Sequence, residues 1–202
     1  DKEALEWAVP LPPRPSLTLR QPALVAGTRP LTPTERGSAN HLFLQFAHYA
    51  ACEEREALAR EVERMVQEEF LTPEQAGAVE QEQMLRLFAS PLGQKLLHGE
   101  VRREFKFSIL VDAGMYDAEA AGERVMLQGV ADCLILEPDG LTVVDFKTDR
   151  VPSGREAERA AVYYGQLRAY AMAIGRIFNR PVRRCVLYFL KTGAEVEVPF
   201  AG

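Results

Sequence analysis

The segment that most constrains the fold is Leu141-Thr142-Val143-Val144-Asp145-Phe146. Its apolar residues are successive, it follows the turn signal Pro138-Asp139-Gly140, and it runs into polar Lys147-Thr148-Asp149. Such a short run bounded by turn chemistry reads as a strand of a central sheet. Around it the hydrophobic period changes twice. Upstream, helical spacing predicts helices over 37–51 and 53–70, with Leu42, Phe46 and Tyr49 on one side of the first. Thr72-Pro73-Glu74-Gln75 has the chemistry of a helix start: a hydroxyl cap, Pro at the first helical position and Gln three residues after the cap. Ser90-Pro91 repeats that start, and Gly99 stops the helix. Strand patterning follows over 104–111, 124–136 and 141–147. Helical spacing returns over 155–178, then strands over 182–190 and, at an edge, 194–199. This order predicts an α/β fold, a mixed central sheet flanked by helices with a helical N-terminal half.

Composition limits what such a domain does. The 202 residues suit one domain with an extension. Residues 1–30, with Pro10-Leu11-Pro12-Pro13-Arg14-Pro15, read as a linker or surface strap, and 31–202 as the domain. With 24 basic and 29 acidic residues the net charge is −5, which argues against a cationic nucleic-acid coat. No apolar run approaches the ~20 residues of a membrane span, and no signal peptide is visible, so a cytoplasmic, membrane-free location is expected. Cys52, Cys133 and Cys185 are too few and too dispersed for a disulfide framework or an iron–sulfur cluster. The chain does not start with Met, which reads as a piece of something longer.

The residues that point to chemistry are Gly129-Val130-Ala131-Asp132 and, twelve residues on, Asp145-Phe146-Lys147. Asp145 and Lys147 are two apart on a strand and point to the same face. Asp132 lies on the preceding strand, and the turn at 138–140 can bring it beside Asp145. Two adjacent carboxylates repel each other and raise one another's pKa unless a cation sits between them. A hard divalent ion such as Mg²⁺ accepts such oxygens and keeps waters, one of them a candidate nucleophile. A neighbouring Lys can orient that water or stabilise charge building on a phosphoryl oxygen. The constellation therefore points to metal-assisted phosphodiester hydrolysis. His41, early in a helix, is a candidate third ligand. Gln166 and Tyr170, four apart, share one helix face and could bind a phosphate or a base, or hold the metal loop. Glu104 is a candidate further ligand of metal or water.

In order along the chain, Gly37-x-x-x-His41, Gly129-x-x-Asp132, Asp145-Phe146-Lys147-Thr148-Asp149 and Gln166-x-x-x-Tyr170 resemble the RecB-type nuclease domain, a branch of the PD-(D/E)XK superfamily. Residues 31–41, 103–108, 143–151 and 180–193 look like the C-terminal nuclease domain found in the AddA (RexA) subunits of bacterial helicase–nucleases. The resemblance covers roughly 31–193, with Lys106 where proline is expected. It implies a restriction-endonuclease-like fold, with His41, Asp132, Asp145 and the Phe146 carbonyl as ligands of Mg²⁺, replaceable by Mn²⁺. Lys147 is then the catalytic lysine, with Gln166 and Tyr170 near the site. The implied substrate is single-stranded DNA, cut during double-strand-break repair and recombination. The implied partners are an upstream helicase portion and an AddB-like subunit. No GxxxxGK[ST] phosphate loop is present, so ATP is expected to act only in that motor portion. The rival readings are a non-catalytic DNA-binding or subunit-docking module with a decayed nuclease site, and a stand-alone nuclease acting on another nucleic acid such as RNA.

Overall fold

A computed structural model describes residues 30–115 and 117–200. The expected strap over 1–30 lies outside these residues, Pro30 excepted. Five helices come first: α1 Pro33–Phe46, α2 Arg55–Gln67, α3 Pro73–Ala76, α4 Gln81–Ala89 and α5 Pro91–His98. Helix α1 starts four residues before the predicted Gly37. Thr32 caps it through a reciprocal box: Glu35 N–H donates to Thr32 Oγ1 (3.2 Å), and Thr32 N–H to Glu35 Oε2 (2.7 Å). The same box forms at Thr72 with Gln75, but α3 ends after one turn and α4 begins afresh. Ser90 caps α5 by accepting from Gly93 N–H.

The strands are β1 Glu100–Asp112, β2 Arg124–Glu137, β3 Gly140–Lys147, β4 Val182–Phe189 and β5 Ala194–Glu197, ordered β1-β2-β3-β4-β5. All neighbours are antiparallel except β3 and β4, which run parallel. A parallel pair needs a crossover, supplied by α6 Glu156–Ala160, a 3₁₀ turn Ala161–Tyr163 and α7 Tyr164–Phe178. This is the expected mixed sheet with a helical N-terminal half. β1 starts four residues earlier than the predicted Glu104, because its first rungs, with Glu100, Arg102 and Arg103, carry charged residues and hide the apolar period.

Each face of the sheet carries its own core. Phe43, Leu58, Met65, Phe88 and Leu92 of the N-terminal helices pack against Cys133, Ile135, Val144, Phe146, Val186 and Tyr188. Leu167, Ala171 and Ile174 of α7 pack against Leu134, Leu141, Val143, Cys185, Leu187 and Phe189 on the other face. β3 lies between both layers, so its successive residues are buried. That explains a run apolar at every position.

Candidate active site

Two faults in the hydrogen-bond ladders place the site. The β2–β3 ladder ends at Cys133–Val144, so the next opposed positions are Asp132 and Asp145, where the strands part. The β1–β2 ladder pairs Arg103 with Cys133 and Phe105 with Ala131, and leaves Glu104 and Asp132 opposed but unpaired between them. Glu104 adopts φ +47°, a left-handed conformation that a non-glycine residue takes only when its surroundings impose it. The alternation of faces reverses there. Val101 and Cys133 pack with the N-terminal helices, whereas Phe105, Phe107, Leu127 and Ala131 pack with the α7 layer. Glu104, Asp132 and Asp145 thus form a row across three adjacent strands. The carboxylates meet at an interior fork of the sheet and not at its outer edge.

The backbone released by the fork is used by the side chains. Phe146 N–H donates to Asp132 Oδ2 at 2.8 Å, which fixes that carboxylate across the gap. Lys147 Nζ lies 2.7 Å from Asp145 Oδ2. That oxygen is buried, and although the ammonium pairs with it electrostatically, no donor is aligned on it as a hydrogen bond. His41 Nδ1 stands 3.6 Å from Asp132 Oδ2. Burial and the neighbouring Asp145 push the Asp132 carboxyl well above the usual carboxylate range, against the Phe146 amide and Lys147. Glu104 is raised by burial and by Asp145, against Lys106. Burial lowers the His41 imidazole, with Lys147 acting the same way and Asp145 opposing. Burial would lower Lys147 too, but Asp145 outweighs it and holds the ammonium charged.

Small residues let the other elements reach the fork. Gly37 lies one turn before His41, and a Cβ there would meet Thr148 Oγ1 at 2.8 Å. Its hydrogen therefore lets α1 close on the residue after Lys147 and carry His41 over Asp132. At the far end of α1, Arg103 donates to Ala47 O at 2.7 Å and lies over the Tyr49 ring, tying the helix to β1 beside Glu104. Gly129 makes the matching allowance on β2: a Cβ would stand 2.6 Å from both Phe107 and Tyr170. Tyr170 packs edge-on against Phe107, and Gln166 Nε2 donates to its hydroxyl at 2.9 Å. The structure thus brings His41, Asp132, Asp145 and Lys147 into one cluster. Gln166 and Tyr170 sit against the β1–β2 ribbon three residues along from Asp132. Missed by sequence reasoning is Tyr163, whose ring lies 3.8 Å beneath Lys147 Nζ; its place on a helix flank gives no periodic signal.

The donor set fits a hard divalent cation. It offers two carboxylates in direct opposition, a third beside them, a neutral-leaning imidazole and a buried oxygen without an aligned donor, against one ammonium. Among the described residues, no group of three or more His, Cys, Asp or Glu side chains is placed so as to hold a metal ion by itself. Also among the described residues, no helix is long and apolar enough to cross a membrane.

Comparisons with known proteins identify the family. The profile of the PD-(D/E)XK nuclease superfamily matches residues 16–199. The A subunit of the ATP-dependent helicase/nuclease of Moorella thermoacetica is 40% identical over 200 residues, 96% of this chain and 14% of that protein. Its namesake in Pelotomaculum thermopropionicum is 41% identical over 185 residues, 90% of this chain and 15% of that protein. That of Bacillus licheniformis is 33% identical over 192 residues, 90% and 16% respectively. The chain thus spans about one-seventh of the length of these relatives. A match over nearly the whole chain, on a sheet whose fork gathers Asp132, Asp145 and Lys147, leads to one conclusion: this chain belongs to the PD-(D/E)XK nuclease superfamily.

Proposed function

We propose that residues 31–202 form a Mg²⁺-dependent nuclease domain that hydrolyses phosphodiester bonds of single-stranded DNA. The observation that supports this best is the opposition of Asp132 and Asp145 one step beyond the last β2–β3 rung, with Lys147 beside them. His41, Asp132, Asp145 and the Phe146 carbonyl would hold the ion, and Mn²⁺ would substitute. A divalent ion bound there supplies a nucleophilic water at neutral pH and neutralises charge on the phosphoryl group.

The rest of the work falls to the chain's own groups. Phe146 N–H locks the Asp132 rotamer, so the carboxylate stays at the fork. Asp145 keeps Lys147 charged, and its ammonium stabilises the negative charge that builds on a non-bridging phosphoryl oxygen. Glu104, the third carboxylate of the row, would be a further ligand of the metal or of its water. Gln166 and Tyr170 would bind a phosphate or a base of the substrate, or hold the metal loop.

The relatives are helicase/nuclease subunits, which supports a place in a helicase–nuclease acting in double-strand-break repair and recombination, in the cytoplasm. ATP would be used only by the motor portion, and the partner would be an AddB-like subunit. The test is cleavage of labelled single-stranded and duplex DNA with Mg²⁺, with Mn²⁺ and with chelator. Expected are cation-dependent cutting of the single strand and its loss in Asp145→Ala. Retained cutting in Asp145→Ala would refute the proposal. A protein that neither cuts nor shows carboxylate-dependent Mn²⁺ binding by calorimetry would be the non-catalytic docking module instead.

A further inference from the structure

We propose that Tyr163 is the positioning residue of Lys147: its ring face holds the ammonium beside Asp145, and an Asp149–Arg159 pair holds the ring. This rests on the reading of Lys147 as the catalytic lysine. The Lys147 ammonium lies 2.7 Å from Asp145 Oδ2 and 3.8 Å from the Tyr163 ring centroid. An ion pair alone sets a distance and leaves a direction free, and the lysine stem has four rotatable bonds. At this fork both Asp145 and Asp132 attract the ammonium, so a single partner would let it swing between them. A ring face attracts a cation along its normal and gives the ammonium a second anchor besides Asp145.

The ring is itself immobilised. Tyr163 Oη donates to Asp149 Oδ2 (2.9 Å) and accepts from an Arg159 guanidinium N–H (2.9 Å), and the same guanidinium nitrogen donates to Asp149 Oδ1 (2.9 Å). This closed triangle joins the segment just after Lys147 to α6 and to the 3₁₀ turn that ends at Tyr163. It uses both the donor and the acceptor capacity of the hydroxyl. A tyrosine that only filled space would need neither the triangle nor a cation centred on its face.

The test uses the full helicase–nuclease chain with saturating Mg²⁺ and labelled single-stranded DNA. Tyr163→Leu is expected to lower kcat about tenfold with KM unchanged. Tyr163→Phe keeps the ring but loses the hydroxyl that Asp149 and Arg159 hold, so it should recover only part of that loss. On a Lys147→Ala background, Tyr163→Leu should add no further loss. A second readout needs no metal: in the chelated protein the Lys147 ε-methylene NMR signal is expected to be shifted upfield by the ring, to keep part of that shift in Tyr163→Phe and to lose it in Tyr163→Leu. Should Tyr163→Leu not fold, Asp149→Ala carries the test, since it keeps the ring and removes its tether; a lowered kcat supports the proposal and a wild-type kcat overturns it. If Lys147→Ala is inactive while Tyr163→Leu cleaves at the wild-type rate, the positioning role is overturned and the nuclease reading stands. Wild-type cleavage by Lys147→Ala would overturn both.

Discussion

Glu61 in the helical layer and Asp132 at the sheet fork are both acidic residues withdrawn from water, and their surroundings are opposite. Glu61, 4% exposed, accepts from Arg64 Nε at 3.0 Å, from a second Arg64 N–H and from His48 N–H at 2.6 Å. Burial pushes its carboxyl up, but Arg64 and the His48 amide outweigh it and hold the group below its ordinary range. Asp132 has one main-chain donor, Phe146 N–H, and faces Asp145 and Glu104. Burial and like charge push it up. A carboxylate that serves the fold is ringed by donors, whereas one placed for chemistry is short of donors and crowded by its own kind. The unspent negative charge at the fork is the property a cation would answer.

The largest expected effect separates the two on activity. Asp132→Ala should lower cleavage about 10³-fold, measured on labelled single-stranded DNA, while leaving the metal-free melting temperature unchanged or higher because repulsion is relieved. A lower melting temperature would mean that the fork carboxylates hold the fold together. Glu61→Ala should do the reverse: denaturant titration is expected to show a loss of about 2 kcal/mol, since Arg64 and the His48 amide lose their acceptor, and cleavage by the remaining folded protein should be near normal.

Next in size is Gly129→Ala, which presses a methyl against Phe107 and Tyr170. Urea unfolding should register about 1–3 kcal/mol of destabilisation, the usual cost of overpacking. A neutral result would show that the ribbon beyond the fork yields to accommodate it.

The smallest effect is in the pH dependence of stability with chelator present. The Asp132 carboxyl is raised above its unfolded value of about 3.9, so the native state binds its proton more tightly. The contribution of this group to stability therefore falls as pH rises above about 4. Glu61 is lowered, so its contribution is present above the unfolded value of about 4.3 and is lost as pH falls through that region. Melting temperatures between about pH 4 and 8 should show Asp132→Asn gaining on the parent as pH rises, and Glu61→Gln losing ground over the same range. Parallel curves for the two variants would remove the contrast.

Much of this architecture is legible along the chain. The hydroxyl–proline starts at Thr72 and Ser90 are readable because a cap is satisfied within three residues. Thr32-Pro33-Thr34-Glu35 carries the same signal, and it is this local box, more than the apolar period beyond it, that sets the start of α1. The β2–β3 hairpin and the shared face of Asp145 and Lys147 follow from a turn and a period of two. By contrast, Glu104 reads as an ordinary strand residue. Its left-handed backbone, and the reversal of faces on both strands, arise because β1 and β2 must serve one core below the fork and another above it.

Local periodicity and turn chemistry thus specified the elements, their order and the pairing of Asp145 with Lys147, since these depend on residues a few positions apart. Distant segments had to meet before the site existed. Gly37 had to yield to Thr148, Gly129 to Tyr170, and the Tyr163 ring had to slide under Lys147. Such contacts depend on how layers pack, and packing between residues tens of positions apart leaves no periodic trace in the chain.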